Sequence, residues 1–111
     1  MSQLTTPELF DMSGHVAVIT GAGRGIGEGI AKSFSEAGAS VIVAARRTEE
    51  IDRVAAEINE SGGSAIAVTT DVTDDDAVEN LAKAAIAEYG KLTTWVNNAG
   101  GSPMRMPLSD L

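Results

Sequence analysis

Cysteine is absent from the 111 residues, which excludes disulfides, thiolate metal ligands and thiol nucleophiles. Bulk is scarce: Phe10, Phe34, Tyr89 and Trp95 are the only aromatics. Positive charge is scarce too, with 8 Lys and Arg against 16 Asp and Glu and a formal net charge of −8. So acidic a chain lacks the basic field that displaces counterions from nucleic acid or gathers on anionic membranes, so neither is expected as a partner. No apolar run approaches the roughly 20 residues that span a bilayer. The opening MSQLTTPELFDMS has neither the basic start nor the apolar stretch of a secretory signal. A soluble, cytoplasmic protein is the expectation. The sole histidine, His15, has no Ser-Asp or metal partner set around it and reads as structural.

Small residues are what the chain has instead: 17 alanines and 12 glycines within a 43% hydrophobic composition. The length suits one domain and rules out two full ones. With few large side chains, burial must come from close approach of backbones, as when helices lie tightly on a parallel sheet. Residues 15–20 (HVAVIT), 40–45 (SVIVAA), 65–70 (AIAVTT) and 92–97 (LTTWVN) predict buried strands. Between them, three sets recur at helical spacing: Ile26, Ile30, Phe34 and Ala37; Ile51, Val54, Ala55 and Ile58; Val78, Leu81, Ala82 and Ala85. Gly38, Gly62 with Gly63, and Gly90 stand where these helices should end. Thr73 is placed to cap the third helix, with Asp74, Asp75 and Asp76 in its first turn where the dipole favours anions. The order β-α-β-α-β-α-β calls for a parallel sheet with right-handed crossovers. Residues 101–107 read as a loop and 108–111 as the start of another helix.

In such a sheet, ligands bind beyond the carboxyl ends of the strands, near the point where strand order reverses. After the first strand stands Thr20-Gly21-Ala22-Gly23-Arg24-Gly25-Ile26-Gly27. It fits neither G-x-G-x-x-G from Gly21 nor a P-loop, but it fits T-G-x-x-x-G-x-G. Glycines there let a backbone approach a pyrophosphate, and the following helix start offers free N–H groups. An NAD site usually places an acid about 20 residues past the glycine loop. Here that zone reads Val43-Ala44-Ala45-Arg46-Arg47, with no acid until Glu49. A guanidinium grips a 2′-phosphate that an acid would repel, so Arg46 and Arg47, with Arg24, favour NADP over NAD. Alternatively, Arg46 and Arg47 begin a solvated helix and pair with Glu49 and Glu50. Asp71-Val72 follows the third strand, where a carboxylate can accept from an adenine amino group. Asn97-Asn98-Ala99-Gly100 follows the fourth, where amides can bridge strand ends and small residues let a ribose pass.

Together these motifs resemble the classical short-chain dehydrogenase/reductase family, and the 13–27 segment is similar to 3-oxoacyl-carrier-protein reductases and related alcohol dehydrogenases. The resemblance runs from about Asp11 onward. It implies a Rossmann-type doubly wound α/β sheet of strand order 3-2-1-4, of which this chain is the N-terminal portion. It implies that Gly21, Gly25, Ile26 and Gly27 serve the pyrophosphate, with Gly23 of the same loop a further cofactor-binding candidate, and that Asp71 and Val72 border adenine. Asn98, Ala99 and Gly100 line the cofactor, while Arg24 and Arg46 match both places where NADP-preferring members carry a basic residue.

The same resemblance exposes an absence. Family members handle the reacting proton with a Tyr-x-x-x-Lys pair, yet Tyr89, the single tyrosine, is followed four residues later by Thr93. The catalytic serine, the helix-borne asparagine and the oligomer-forming helices would likewise fall beyond Leu111. The expectation is therefore an N-terminal extension over 1–13 and an NADP-binding segment over 14–111. It belongs to an oxidoreductase that transfers a hydride between NADP(H) and a carbonyl or alcohol, a homo-oligomer when complete. Two alternatives stand beside it: a nucleotide-binding module without catalysis, and an S-adenosylmethionine methyltransferase, whose site would want an acid where Arg46 stands.

Overall fold

A computed structural model describes residues 11–98. Within them the chain runs β1 (Val16–Thr20), α1 (Gly25–Glu36), β2 (Ser40–Ala45), α2 (Thr48–Glu60), β3 (Ser64–Thr69), α3 (Asp75–Tyr89) and β4 (Thr94–Val96). The strands form one parallel sheet, as the alternation predicts, in the order β3-β2-β1-β4, the doubly wound arrangement that the resemblance implies. The chain steps outward from β1 to β3 and then crosses back to set β4 on the other side of β1. Strand order thus reverses between β1 and β4, and that is where a binding crevice is expected. Ala99, Gly100, the loop over 101–107 and the helix start at 108–111 lie outside the described residues.

The period-two alternation of the strands divides the core into two layers. Ala17, Ile19, Val41 and Val43 face α1 and α2, packing with Ala31, Ile51, Val54 and Ile58. Val16, Val18, Ile42 and Ala44 face the opposite way and meet Leu81 and Ala85 of α3. With helices on both faces, all five residues of β1 are buried. Small side chains let the layers close: Ala17, Ala22, Ala31 and Ala39 all belong to the first cluster. Met12 packs against that cluster, and its amide donates to Ala37 O at 2.7 Å. The Tyr89 and Ser64 hydroxyls lie 2.9 Å apart, joining the end of α3 to β3. No helix among the described residues is long and apolar enough to cross a membrane.

Two local expectations need correction. The fourth strand is three residues long rather than six: Thr93 N still donates to Val16 O at 2.9 Å, but side chains take the other backbone groups at both ends. Before it, Thr93 Oγ1 accepts from Val16 N at 3.0 Å and donates to Val16 O at 3.2 Å. After it, Asn97 and Asn98 turn to the hydroxyl of Thr20. The third helix is capped by Asp74 rather than Thr73: its carboxylate accepts from the amides of Asp76 at 3.0 Å and Ala77 at 3.3 Å. Thr73 is instead engaged with Asp71. Gly38 and Gly90 do take the left-handed conformation, with φ of +107° and +81°.

Leu81 is fully buried where α3 meets the sheet. Leu81→Ala should cost about 2–5 kcal/mol of stability. Urea denaturation would show it as a lower midpoint at unchanged slope; an unmoved midpoint would mean that α3 is not part of the core.

Candidate functional site

At the reversal point the end of β1 is stitched to the end of β4 by one hydroxyl. Thr20 is wholly buried, and its Oγ1 accepts from Asn98 N at 3.0 Å while lying 3.2 Å from Asn97 Oδ1. Asn98 Nδ2 reaches back to Gly21 O at 3.4 Å, so the amide bridges the two strand ends. From Gly21 the chain turns into α1 through two residues at φ +63°, Gly21 and Gly25. A side chain at Gly25 would meet nothing within 4 Å, so the loop is open on that side. Gly27 is the opposite case: it is buried, and a Cβ there would collide with Gly21 O and stand 2.7 Å from Asn98 Nδ2. Its role is close packing of α1 on the loop, not lining. Arg24 occupies the N-cap position in extended conformation and makes no side-chain cap. The first amides of α1 are therefore left to an external acceptor, and a helix start favours an anion there.

A cleft of about 460 Å³ opens over this loop. Gly21, Gly23 and Arg24 line it from the loop, Ala45, Arg46 and Arg47 from the end of β2, Thr70, Asp71 and Val72 from the end of β3, and Asn98 from β4. Eight of the residues singled out from sequence are thus brought together. Ile26 stands apart, 75% exposed on the first turn of α1. Arg24, Arg46 and Arg47 are exposed, and none of their side chains makes an ion pair or hydrogen bond among the described residues. The alternative pairing of Arg46 and Arg47 with Glu49 and Glu50 is not formed. Asp71 Oδ1 accepts from Thr73 Oγ1 at 2.6 Å and Thr73 N at 2.9 Å, which holds its carboxyl below the usual range, with a smaller effect from Arg46. Its Oδ2 has no partner among the described residues. His15 Nδ1 lies 3.0 Å from Thr93 Oγ1, outside the cleft, in keeping with a structural part.

Two features of the site escape a reading of strand ends. Glu50 lines the cleft beside Gly23, adding a second carboxylate opposite the three arginines. Behind the loop, Arg53 bonds Glu28 through both guanidinium nitrogens, at 2.9 and 3.1 Å, and Glu57 at 3.1 Å. Lys32 joins the same two carboxylates. These cations hold the Glu28 carboxyl down to about 2 from an ordinary 4.5, with Arg53 the larger influence. Positions 50, 53 and 57 share a helix face by spacing, but spacing does not say that this face meets the glycine loop.

Comparison with known proteins agrees with the geometry. The family model for short chain dehydrogenase matches residues 15–111. The chain is 43% identical over 102 residues to the 7α-hydroxysteroid dehydrogenase of Escherichia coli K12, covering 89% of this chain and 40% of that protein. It is 42% identical over 95 residues to an uncharacterized oxidoreductase of Mycobacterium tuberculosis, covering 86% of this chain and 36% of that one. A solved 7α-hydroxysteroid dehydrogenase complexed with NADH and 7-oxo glycochenodeoxycholic acid superposes with a TM-score of 0.82 at 40% identity, over 97% of this chain and 43% of that chain. The chain spans about two-fifths of the length of these relatives.

Two predictions test the site's construction. Gly27→Ala should destabilise by about 1–3 kcal/mol through overpacking against backbone, whereas Gly29→Ala, with nothing within 4 Å, should stabilise by about 0.5–1 kcal/mol. Urea midpoints of the two variants should move in opposite directions. Glu28 makes the second case. Its folded pKa is depressed, so its contribution is full above about 4.5 and is lost as pH falls toward about 2. Melting temperatures of wild type and Glu28→Gln should differ most near neutral pH and converge across that window; a gap independent of pH would refute the assignment.

Proposed function

Because the chain belongs to the short-chain dehydrogenase/reductase family, we propose that residues 14–111 are the cofactor-binding segment of an NADP-dependent oxidoreductase acting on a small-molecule carbonyl or alcohol. The cofactor, when bound, carries the hydride. This segment supplies binding and orientation, while the proton-handling Tyr-x-x-x-Lys pair and the oligomer-forming helices belong to the remainder of the enzyme, a cytoplasmic homo-oligomer. The family assignment leaves the methyltransferase alternative without support.

The residues fit the cofactor's parts. Gly21 and Gly25 open the loop, Gly27 seats α1 on it, and Ile26 stands on the first turn, so that the loop and the uncapped start of α1 serve the pyrophosphate. Asp71, with Oδ2 free of partners among the described residues, accepts from the adenine amino group, and Val72 borders the ring. Asn98 lies on the path toward the nicotinamide ribose, with Ala99 and Gly100 following it in sequence. The observation that carries the NADP preference is the set of three arginines, Arg24, Arg46 and Arg47, standing without partners around one cleft of an otherwise acidic chain. A 2′-phosphate supplies the oxygens that their forked donors lack.

One observation favours a second reading. Glu50 faces the same cleft, and a carboxylate there can accept from ribose hydroxyls, as an NAD site requires. Titrating the intact protein with NADPH and NADH separates the two, and NADPH is expected to bind more tightly. Arg46→Ala should weaken NADPH by roughly ten- to a hundredfold, the value of a charged hydrogen bond of about 1.5–3 kcal/mol, and leave NADH nearly unchanged. Equal losses for both would transfer the preference to the Glu50 reading.

A further inference from the structure

Gly23 lies between two glycines at positive φ, and two side chains of α2 converge on it. Glu50 backs its α-carbon: a Cβ on Gly23 would lie 2.8 Å from Glu50 Oε1 and 2.9 Å from Glu50 Cβ. One turn further along α2, Arg53 Nη2 donates to Gly23 O at 3.2 Å. The guanidinium is itself held in place. Its two terminal nitrogens form a fork with both oxygens of Glu28 on α1, and Nη1 also bonds Glu57 on α2. The Glu28 side chain is only 19% exposed, so this fork is the sheltered part of the cluster. Arg53 itself does not line the cleft.

The consequence follows from peptide geometry. The bond after Gly23 is trans, so its C=O and the N–H of Arg24 point in opposite directions. Fastening the carbonyl to Arg53 therefore sets the direction of the Arg24 amide, at the very start of α1. A loop containing Gly21, Gly23 and Gly25 has much conformational freedom to lose on binding. A fixed carbonyl removes part of that loss before a ligand arrives, and preorganisation of this kind raises affinity.

We propose that Arg53 is a positioning residue for the dinucleotide pyrophosphate, acting through the Gly23 carbonyl and oriented by its fork with Glu28. The inference rests on the cofactor reading above and adds a residue outside the cleft. Because the loop serves the pyrophosphate rather than the adenosine end, loss of Arg53 affects NADPH and NADH alike, unlike loss of Arg46.

The test measures affinities of the intact protein for NADPH, NADH and adenosine 2′-monophosphate, which carries the 2′-phosphate but no pyrophosphate. Arg53→Met should weaken both dinucleotides by about tenfold and by the same factor, leaving adenosine 2′-monophosphate unchanged, and Arg53→Lys should recover part of the loss. If Arg53→Met does not fold, Glu28→Gln loosens the fork while keeping Arg53, and should give a smaller loss of the same pattern. Unchanged dinucleotide affinities, or equal weakening of all three ligands, would overturn the proposal in favour of a structural ion cluster. Wild-type protein that binds neither dinucleotide would instead overturn the cofactor reading and the proposal with it.

Discussion

The architecture of the cleft depends on one close approach, that of the first turn of α1 to the backbone leaving β1. It is possible only because Gly27 carries no side chain, since a single methyl there would strike Gly21 O. With α1 seated so low, the loop between Gly21 and Gly25 has to turn sharply, and the positive φ values at both residues are the result. The same seating leaves the first amides of α1 exposed above the sheet, without a capping side chain. Asn98 closes the arrangement by tying the loop to the end of β4, through Gly21 O and the hydroxyl of Thr20. Remove the close approach, and the loop, the helix start and the bridge between strands all lose their mutual placement.

Charge is distributed so that this placement can be used. The chain carries eight excess negative charges, which oppose an anionic ligand at long range. That opposition is screened beyond about 8–10 Å at ordinary ionic strength, so the groups inside the cleft decide. Lys32, Arg53 and Lys83 are all neutralised by carboxylates. Arg24, Arg46 and Arg47 are not, and they share the cleft with only Glu50 and Asp71. Lys32 and Arg53 thus tie α1 to α2, while the three arginines are left available at the mouth of the cleft.

The second helix serves both ends. Its inner residues Ile51, Val54, Ala55 and Ile58 are buried against the sheet and give it a fixed seat. From that seat the flank bearing Glu50, Arg53 and Glu57 reaches the glycine loop and α1. Core packing and loop placement are therefore coupled: the helix that closes one face of the sheet is also the support behind Gly23. The exposed members of this ion cluster contribute little individually, and their consequence lies in where they hold a carbonyl.

The order of strands and helices was legible in the sequence because strands buried on both faces must be apolar throughout, and because helices laid on them must repeat at 3.6 residues. The cleft-lining positions after each strand were legible for a related reason, since in a parallel sheet all strand ends of one kind fall on one side. The errors came where side chains compete with backbone for the same groups. The Thr93 hydroxyl takes the Val16 amide ahead of β4, and Asp74 caps the helix while Thr73 is bound to Asp71. Glu50 and Arg53 were not legible as parts of the site. Arg53 and Gly23 are separated by 30 residues, and only the docking of α2 on the sheet sets the rotation that turns these side chains toward the loop. Local pattern determines which elements form and in what order; the angle at which one packs on another is a tertiary outcome, and here it decides what stands behind the glycines.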